Sequence, residues 1–410
     1  MIKRILVRNL KPGMFTVDSG LLENEHPELY NGEGLILDLD EIQEIYANGY
    51  REVFVDANQG TYFFEHPDER DKILRLYKML KQKVELRAAF EAKQVTYEEA
   101  KAAEDVYTAS FDTVMTLYED FSKGSSVDTK SSKVYVNDVI DSVTNNAHAF
   151  ISLVKLRQYD DYSYSHSLNV AALAVSFGKY LNFDEEYLQI LGMAGLYHDI
   201  GKVRVPHTVL NKPGRLTDKE FEIMKRHSEY GHDMLVKVND IHSYVLRAAY
   251  EHHEHYGGKG YPRALSRSEI NKTALVISLA DVYDALTSER VYKKAMAQYK
   301  ALCIMFDMRQ TNFHPLLIEK FIKFLGIYPV GTLVRLRIGL RGVVIKQNPA
   351  FLLNPLLKIL ADNKGRLAHP YYLDLADQEY LEKPDYEIID SMDPGTYKLE
   401  LEDFFDKVEG

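Results

Sequence analysis

The spacing of apolar positions changes three times along the chain. In residues 1–66, Ile2–Val7 reads as a strand, Lys11-Pro12-Gly13 as a turn, Asp40–Asn48 as a helix ending at Gly49, and Arg51–Asp56 as a second strand. This predicts a small α/β N-terminal domain. From residue 67 to 121 the apolar steps become three and four. Ile73, Leu76, Tyr77, Leu80 and Val84 form one stripe, and a second helix covers Tyr97–Phe121. This helical connector is expected to pack on the next domain or to form a homodimer that carries a signal. Ser122–Lys133 is small and polar, without apolar anchors, and reads as a linker.

Residues 134–327 are predicted to be helical, with amphipathic runs at Ser167–Tyr180, Glu185–Tyr197, Thr217–His227 and Ile241–Glu254. Thr217 and Glu220 have capping-box spacing. After Tyr328-Pro329 the texture becomes alternating. Gly331–Arg337, Gly342–Gln347, Leu356–Leu360 and Tyr371–Leu375 predict a β-rich C-terminal module over residues 328–410. The expected fold class is mainly α, with a helical domain flanked by a small α/β domain and a small β-rich module. No internal repeat or low-complexity tract is present.

A chain of 410 residues with 46% apolar content is long enough for two or three cores. No apolar run approaches the ~20 residues that cross a bilayer. Met1–Arg8 has no signal-peptide core, so a cytoplasmic, unprocessed protein without membrane association is expected. Cys303 is the sole cysteine, which excludes an intramolecular disulfide and a thiolate zinc site. The net charge of −11 argues against duplex nucleic acid as a partner. An anionic substrate would need a local positive site.

The histidines suggest where that site is. Of 14, nine fall between His166 and His255. Five segments of the helical region carry ligand-type residues: His166, His198-Asp199, His227, His252-His253 and Asp281. A single histidine would be unremarkable, being more often a hydrogen-bonded core or surface residue than a ligand. Asp281, however, lies inside the apolar helix Leu275–Leu286, where a carboxylate is costly unless paired or bound to a cation. Adjacent helical residues point ~100° apart, so each doublet suits two ions better than one. In His198-Asp199 the histidine would bind one ion and the carboxylate would bridge to the other. Seven candidates exceed a four-coordinate zinc site. Imidazole and carboxylate without thiolate favour two divalent ions of iron or manganese, with zinc or nickel less favoured. Such a pair suits in-line displacement at phosphorus.

His198-Asp199 with upstream His166 resembles the HD superfamily of phosphohydrolases. His252-His253-Glu254-His255-Tyr256-Gly257-Gly258-Lys259-Gly260-Tyr261-Pro262 looks like the HHE…GYP signature of its HD-GYP subfamily, and residues 160–300 carry the match. The resemblance implies a cyclic di-GMP phosphodiesterase of bacterial signalling, yielding linear pGpG and then GMP, with other signalling proteins as partners. It implies His166, His198, Asp199, His227, His252, His253 and Asp281 as metal ligands, with Asp199 bridging. Lys202 would hold a phosphate oxygen or assist the leaving alkoxide. Asp284 would orient a ligand from behind. Arg290 and Lys293 would bind phosphate, and Gly260, Tyr261 and Pro262 would shape the nucleotide side. His255, Gly257 and Val291 depart from the family pattern and, with Lys259, leave 3′,3′-cyclic GMP-AMP as an alternative substrate. A catalytically weak nucleotide-binding effector is the other alternative. Some members hold a third metal through a carboxylate one turn before the first histidine. Here that place is Tyr162, beside Asp160 and Asp161, so two ions are expected. Asn9-Leu10-Lys11-Pro12-Gly13-Met14 resembles, more weakly, the small N-terminal domain of some members.

Overall fold

The computed structural model describes residues 2–10, 14–17, 29–30, 34–36, 39–60, 76, 95–124, 129–156, 162–288, 296–348, 350–363, 365–381 and 383–392. The chain divides into two compact units, Met1–Asp71 and Lys72–Gly410.

The first unit contains β1 (Ile2–Leu6), β2 (Met14–Val17), β3 (Leu29–Tyr30), β4 (Gly34–Leu35), α1 (Leu39–Ala47) and β5 (Glu52–Gly60). Strand β5 is central. It pairs antiparallel with β1 and β2 and parallel with β3, while β4 pairs with β2. Ile42 and Ile45, three apart on α1, bury against Val7, Val53 and Val55, as a one-faced helix on a sheet requires. The expected α/β domain is therefore present. Its Lys11-Pro12-Gly13 turn lies outside the described residues.

The second unit is built on helices: α2 (Tyr97–Lys123), α3 (Lys130–Leu156), α4 (Tyr162–Tyr180), α5 (Glu185–Tyr197), α6 (His207–Leu210), α7 (Asp218–Lys225), α8 (His227–Leu235), α9 (Ser243–Glu251), α10 (Lys272–Thr287), α11 (Gln298–Asp307) and α12 (Pro315–Leu325). Local chemistry accounts for several starts. The Thr96 hydroxyl caps Glu99 N while the Glu99 carboxylate accepts from Thr96 N. Thr217 and Glu220 do the same for α7, and Asp184 caps α5 through Tyr187 N. Helices α2 and α3 leave only residues 124–129 between them, narrower than the polar stretch Ser122–Lys133; Ser125–Asp128 lie outside the described residues, as does the 73–84 stripe apart from Leu76. The run Thr217–His227 is not one helix. It stops at Lys225, and α8 restarts at His227. Likewise α9 ends at Glu251, before the histidine doublet.

Tyr197, Tyr283, Phe150, Phe177, Phe321 and Phe324 fill the helical core. Strands β6 (Leu333–Leu336), β7 (Arg341–Lys346), β8 (Leu356–Asp362), β9 (Gly365–Asp374) and β10 (Ile388–Met392) form an antiparallel sheet in the order β10-β6-β7-β8-β9. Strand β10 has no counterpart in the sequence reading, because its Ile388-Ile389-Asp390-Ser391-Met392 does not alternate. On β7, Val343 and Ile345 enter the helical core while Val344 enters a second cluster with Tyr299, Tyr328 and Leu357. That is the two-residue period of a strand buried on both faces. The sheet thus shares its core with the helices. The fold is mainly α, with an α/β N-terminal part and a C-terminal antiparallel sheet, and no helix among the described residues is long and apolar enough to cross a membrane.

Candidate metal centre

The ends of four helices and the middle of a fifth meet at one buried point. His166 lies on α4, and Asp281 and Asp284 lie one turn apart on α10. His198 is the last helical residue after α5, and Asp199 turns the chain out of it. His227 opens α8, and His252 is the C-cap of α9 with His253 just beyond. Gly201 makes the meeting of two of these segments possible. A Cβ there would lie 1.9 Å from the His227 carbonyl oxygen and 2.4 Å from Gly231 N. Only glycine lets the turn after Asp199 seat against the start of α8.

The structure brings all seven predicted ligands together. Asp199, His227, His252 and His253 form one cluster; His166, His198 and Asp199 a second; His198, His252 and Asp281 a third, each within 4.8 Å. Asp199 divides its two oxygens. Oδ2 lies 3.2 Å from His198 Nε2 and 3.6 Å from His166 Nε2, while Oδ1 lies 3.3 Å from His227 Nε2 and 3.8 Å from His252 Nε2.

The far side of each ring sets its tautomer. Nδ1 of His198 lies 2.8 Å from Gly195 O, that of His227 2.7 Å from Met224 O, and that of His252 3.1 Å from Ala248 O and Ala249 O. A carbonyl can only accept, so these Nδ1 atoms carry the protons and the Nε2 lone pairs face inward. His227 Nε2 and His252 Nε2 are 3.3 Å apart, two acceptors face to face. His198 Nε2 and Asp199 Oδ1 are buried without a hydrogen-bond partner among the described residues. A neutral core does not tolerate such a set, and cations satisfy it.

The charges agree. Burial drives His252 down to about 3 and His253 well below its ordinary value, and burial also lowers His227, so these rings are neutral. For His166, burial is outweighed by hydrogen bonds to Asp281 (3.2 Å) and Asp284 (2.7 Å), which raise it to about 9. Burial opposes ionisation of Asp199 and Asp281, but Lys202 and the neighbouring histidines hold Asp199 low, and His166 holds Asp281 low.

Lys202 Nζ pairs with Asp199 Oδ2 at the half-buried edge of the cluster. Tyr261 closes another edge, with its ring 4.7 Å from that of His253 and 6.4 Å from that of His227. Gly260 allows this: a Cβ there would meet His255 N at 2.2 Å and His253 O at 2.5 Å, so the Gly260-Tyr261-Pro262 turn folds directly onto the doublet. His255 and Gly257 point elsewhere. Asn312 Nδ2 reaches His255 Nε2 at 3.1 Å, and Gly257 N donates to Thr311 O. Arg290, Val291 and Lys293 lie outside the described residues, as do Asp160 and Asp161 and the side chain of Tyr162.

The sequence reading missed two buried acids that hold the loop. Glu254 accepts from Arg263 N (2.7 Å) and Leu265 N (2.9 Å). Glu251 accepts from Arg247 Nε, Arg263 Nη2 and Asn271 N. The signal was present in Glu254, the third residue of the HHE run. It also missed Asn169, whose amide reaches Asp284, and Tyr107, which reaches Asn169.

The sequence profile of the HD domain family matches residues 143–317, and that of a domain of unknown function, DUF3391, matches residues 2–131. The chain is 33% identical over 370 residues to a cyclic di-GMP phosphodiesterase of Pseudomonas aeruginosa, spanning 90% of this chain and 88% of that protein. It is 38% identical over 144 residues to a cyclic di-GMP phosphodiesterase response regulator of Xanthomonas campestris, spanning 35% of this chain and 38% of that one. It is 34% identical over 168 residues to a 3′3′-cGAMP-specific phosphodiesterase of Vibrio cholerae, spanning 41% of this chain and 36% of that one. Relatedness of this extent, with the HD pair and the HHE…GYP run gathered at one buried cluster, places the chain in a family: it belongs to the HD-GYP phosphodiesterases.

Proposed function

We propose that this protein hydrolyses a cyclic dinucleotide, cyclic di-GMP in the first place, at a pair of divalent ions. One observation carries the proposal: the two oxygens of Asp199 face two different histidine sets whose Nε2 atoms point inward. His166, His198, Asp281 and Asp199 Oδ2 would hold one ion. His227, His252, His253 and Asp199 Oδ1 would hold the other. The donor set contains no thiolate and favours iron or manganese over zinc or nickel. When bound, the pair supplies Lewis-acid polarisation of a phosphodiester and a water nucleophile at neutral pH.

The chain's own residues do the rest. The buried cage keeps bulk water from the carboxylates. Lys202, half-buried beside Asp199, would give a hydrogen bond to a phosphate oxygen or a proton to the departing 3′-oxygen. Tyr261 offers a ring face to a nucleobase next to His253. Arg290 and Lys293 follow α10 and are assigned to the phosphates.

The products would be linear pGpG and then GMP. A second reading, 3′,3′-cyclic GMP-AMP as substrate, draws on the Vibrio cholerae relative. Anaerobically purified protein, analysed for metal and incubated with each dinucleotide, separates the two. Preferred release of pGpG from cyclic di-GMP is the expected result. Protein carrying two metal equivalents that cleaves neither dinucleotide would sink the proposal.

A further inference from the structure

A chain of hydrogen bonds leads from the candidate metal centre to helix α2, far from any motif. His166 Nδ1 donates to Asp284 Oδ2 at 2.7 Å. Asp284 Oδ1 accepts from Asn169 Nδ2 at 2.9 Å and from Ser288 Oγ at 2.9 Å. Asn169 lies three residues after His166 on the same face of α4. Its Oδ1 accepts from the Tyr107 hydroxyl at 2.9 Å, and that hydroxyl also reaches Ser165 O at 3.3 Å. Tyr107, Asn169, His166 and Asp284 are all buried.

The polarity of the chain is forced. Asp284 is an acceptor on both oxygens, so Asn169 must present its NH2 to it. That leaves Asn169 Oδ1 facing Tyr107, whose hydroxyl is the donor it meets there. A reversed amide would set its oxygen against a carboxylate. Tyr107 therefore selects the amide orientation that holds Asp284, and Asp284 holds the His166 ring.

We propose that Tyr107 and Asn169 are positioning residues for the candidate metal centre: they act through Asp284 to fix the direction of His166 Nε2. This rests on the two-ion reading above. It also makes α2, outside the residues 143–317 matched by the HD domain profile, part of the machinery that sets metal affinity. Partners behind a ligand typically alter metal affinity or activity by about 10–100-fold, and a single neutral hydrogen bond corresponds to about fivefold.

The test uses the full chain, stripped of metal and titrated with Mn(II) against a chelator, beside thermal melting of the metal-free form and steady-state kinetics. Asn169→Leu should weaken Mn(II) binding on the His166 side by about 10–100-fold, and Tyr107→Phe by about threefold to tenfold. The kcat should fall with KM within about twofold. Tyr118→Phe is the control. It removes a hydroxyl that meets Ser167 at 2.6 Å between the same two helices but outside the chain to Asp284. It should leave Mn(II) affinity within about twofold, whatever it does to melting.

Unchanged Mn(II) affinity in folded Asn169→Leu and Tyr107→Phe overturns the proposal. So does a loss of melting temperature in those variants with affinity intact, or an equal loss of affinity in Tyr118→Phe. Parent protein that binds Mn(II) but turns over no dinucleotide defeats the functional reading alone, since the titration still reports on the chain. Parent protein that binds no metal defeats both.

Discussion

On the His166 side of Asp199 the imidazole faces carboxylates: Asp284 behind it, with Asp281 and Asp199 Oδ2 in front. On the other side, His227, His252 and His253 face one another, with Asp199 Oδ1 as the nearest carboxylate oxygen to His227 and His252. His166, His227 and His252 are buried, and His253 is partly exposed. The consequences are opposite: His166 is raised to about 9, while His252 falls to about 3. Burial by itself disfavours the charged ring, and only a carboxylate partner reverses that. The two proposed ion positions are therefore not equivalent. One is rich in negative charge and the other in neutral nitrogen, with Asp199 shared between them.

Removing the shared residue should have the largest effect. Asp199→Ala should lower turnover by at least about 10³-fold and reduce bound metal below two equivalents by elemental analysis. Retention of both ions and activity would show that the halves do not share it. Asp281→Asn should act on one half only. We expect affinity on the His166 side to fall by about 100-fold, with the histidine-rich side changed by less than about threefold. Equal losses in a two-site titration would mean the two ions cannot be told apart.

Glu254→Gln should touch neither half. It keeps one acceptor oxygen where two backbone amides now bind the carboxylate, so KM should rise by about tenfold with metal content intact. A loss of metal instead would tie the loop to the cage. The smallest effect is in protons. His166, raised to about 9, is protonated at pH 7.5 in the metal-free protein and must lose a proton to offer Nε2, whereas His227, His252 and His253 are already neutral. Calorimetric titration in buffers of different ionisation enthalpy should find about one proton released with the ion of the His166 side and about none with the other. Equal release at both positions would remove the distinction.

Much of this centre was legible before folding was considered. A carboxylate inside the apolar run Leu275–Leu286 and two ligand doublets at helix ends are local patterns, and their chemistry is local too. The helix Glu185–Tyr197 could also be read from its amphipathic run, and the start of Asp218–Lys225 from the Thr217–Glu220 capping box, though its end before His227 could not. Less legible were the breaks. His227 begins a new helix and His252 caps the end of one, because the ligands sit where the backbone must turn toward a common point. Strand β10 was missed for want of alternation, and its pairing with β6 joins residues over fifty positions apart.

The amino-acid order alone determined which side chains were available: the imidazoles, the two cage carboxylates, the lone cysteine that excludes a thiolate site, and glycines at 201 and 260. Tertiary structure decided how they face one another. Which oxygen of Asp199 meets which histidine, which nitrogen of each ring carries the proton, and that Tyr107 reaches His166 through Asn169 and Asp284 all depend on contacts between residues as many as 118 positions apart. Hydrogen bonds and Coulomb forces act over a few ångströms of space, and no local pattern records which distant atoms will be brought that near.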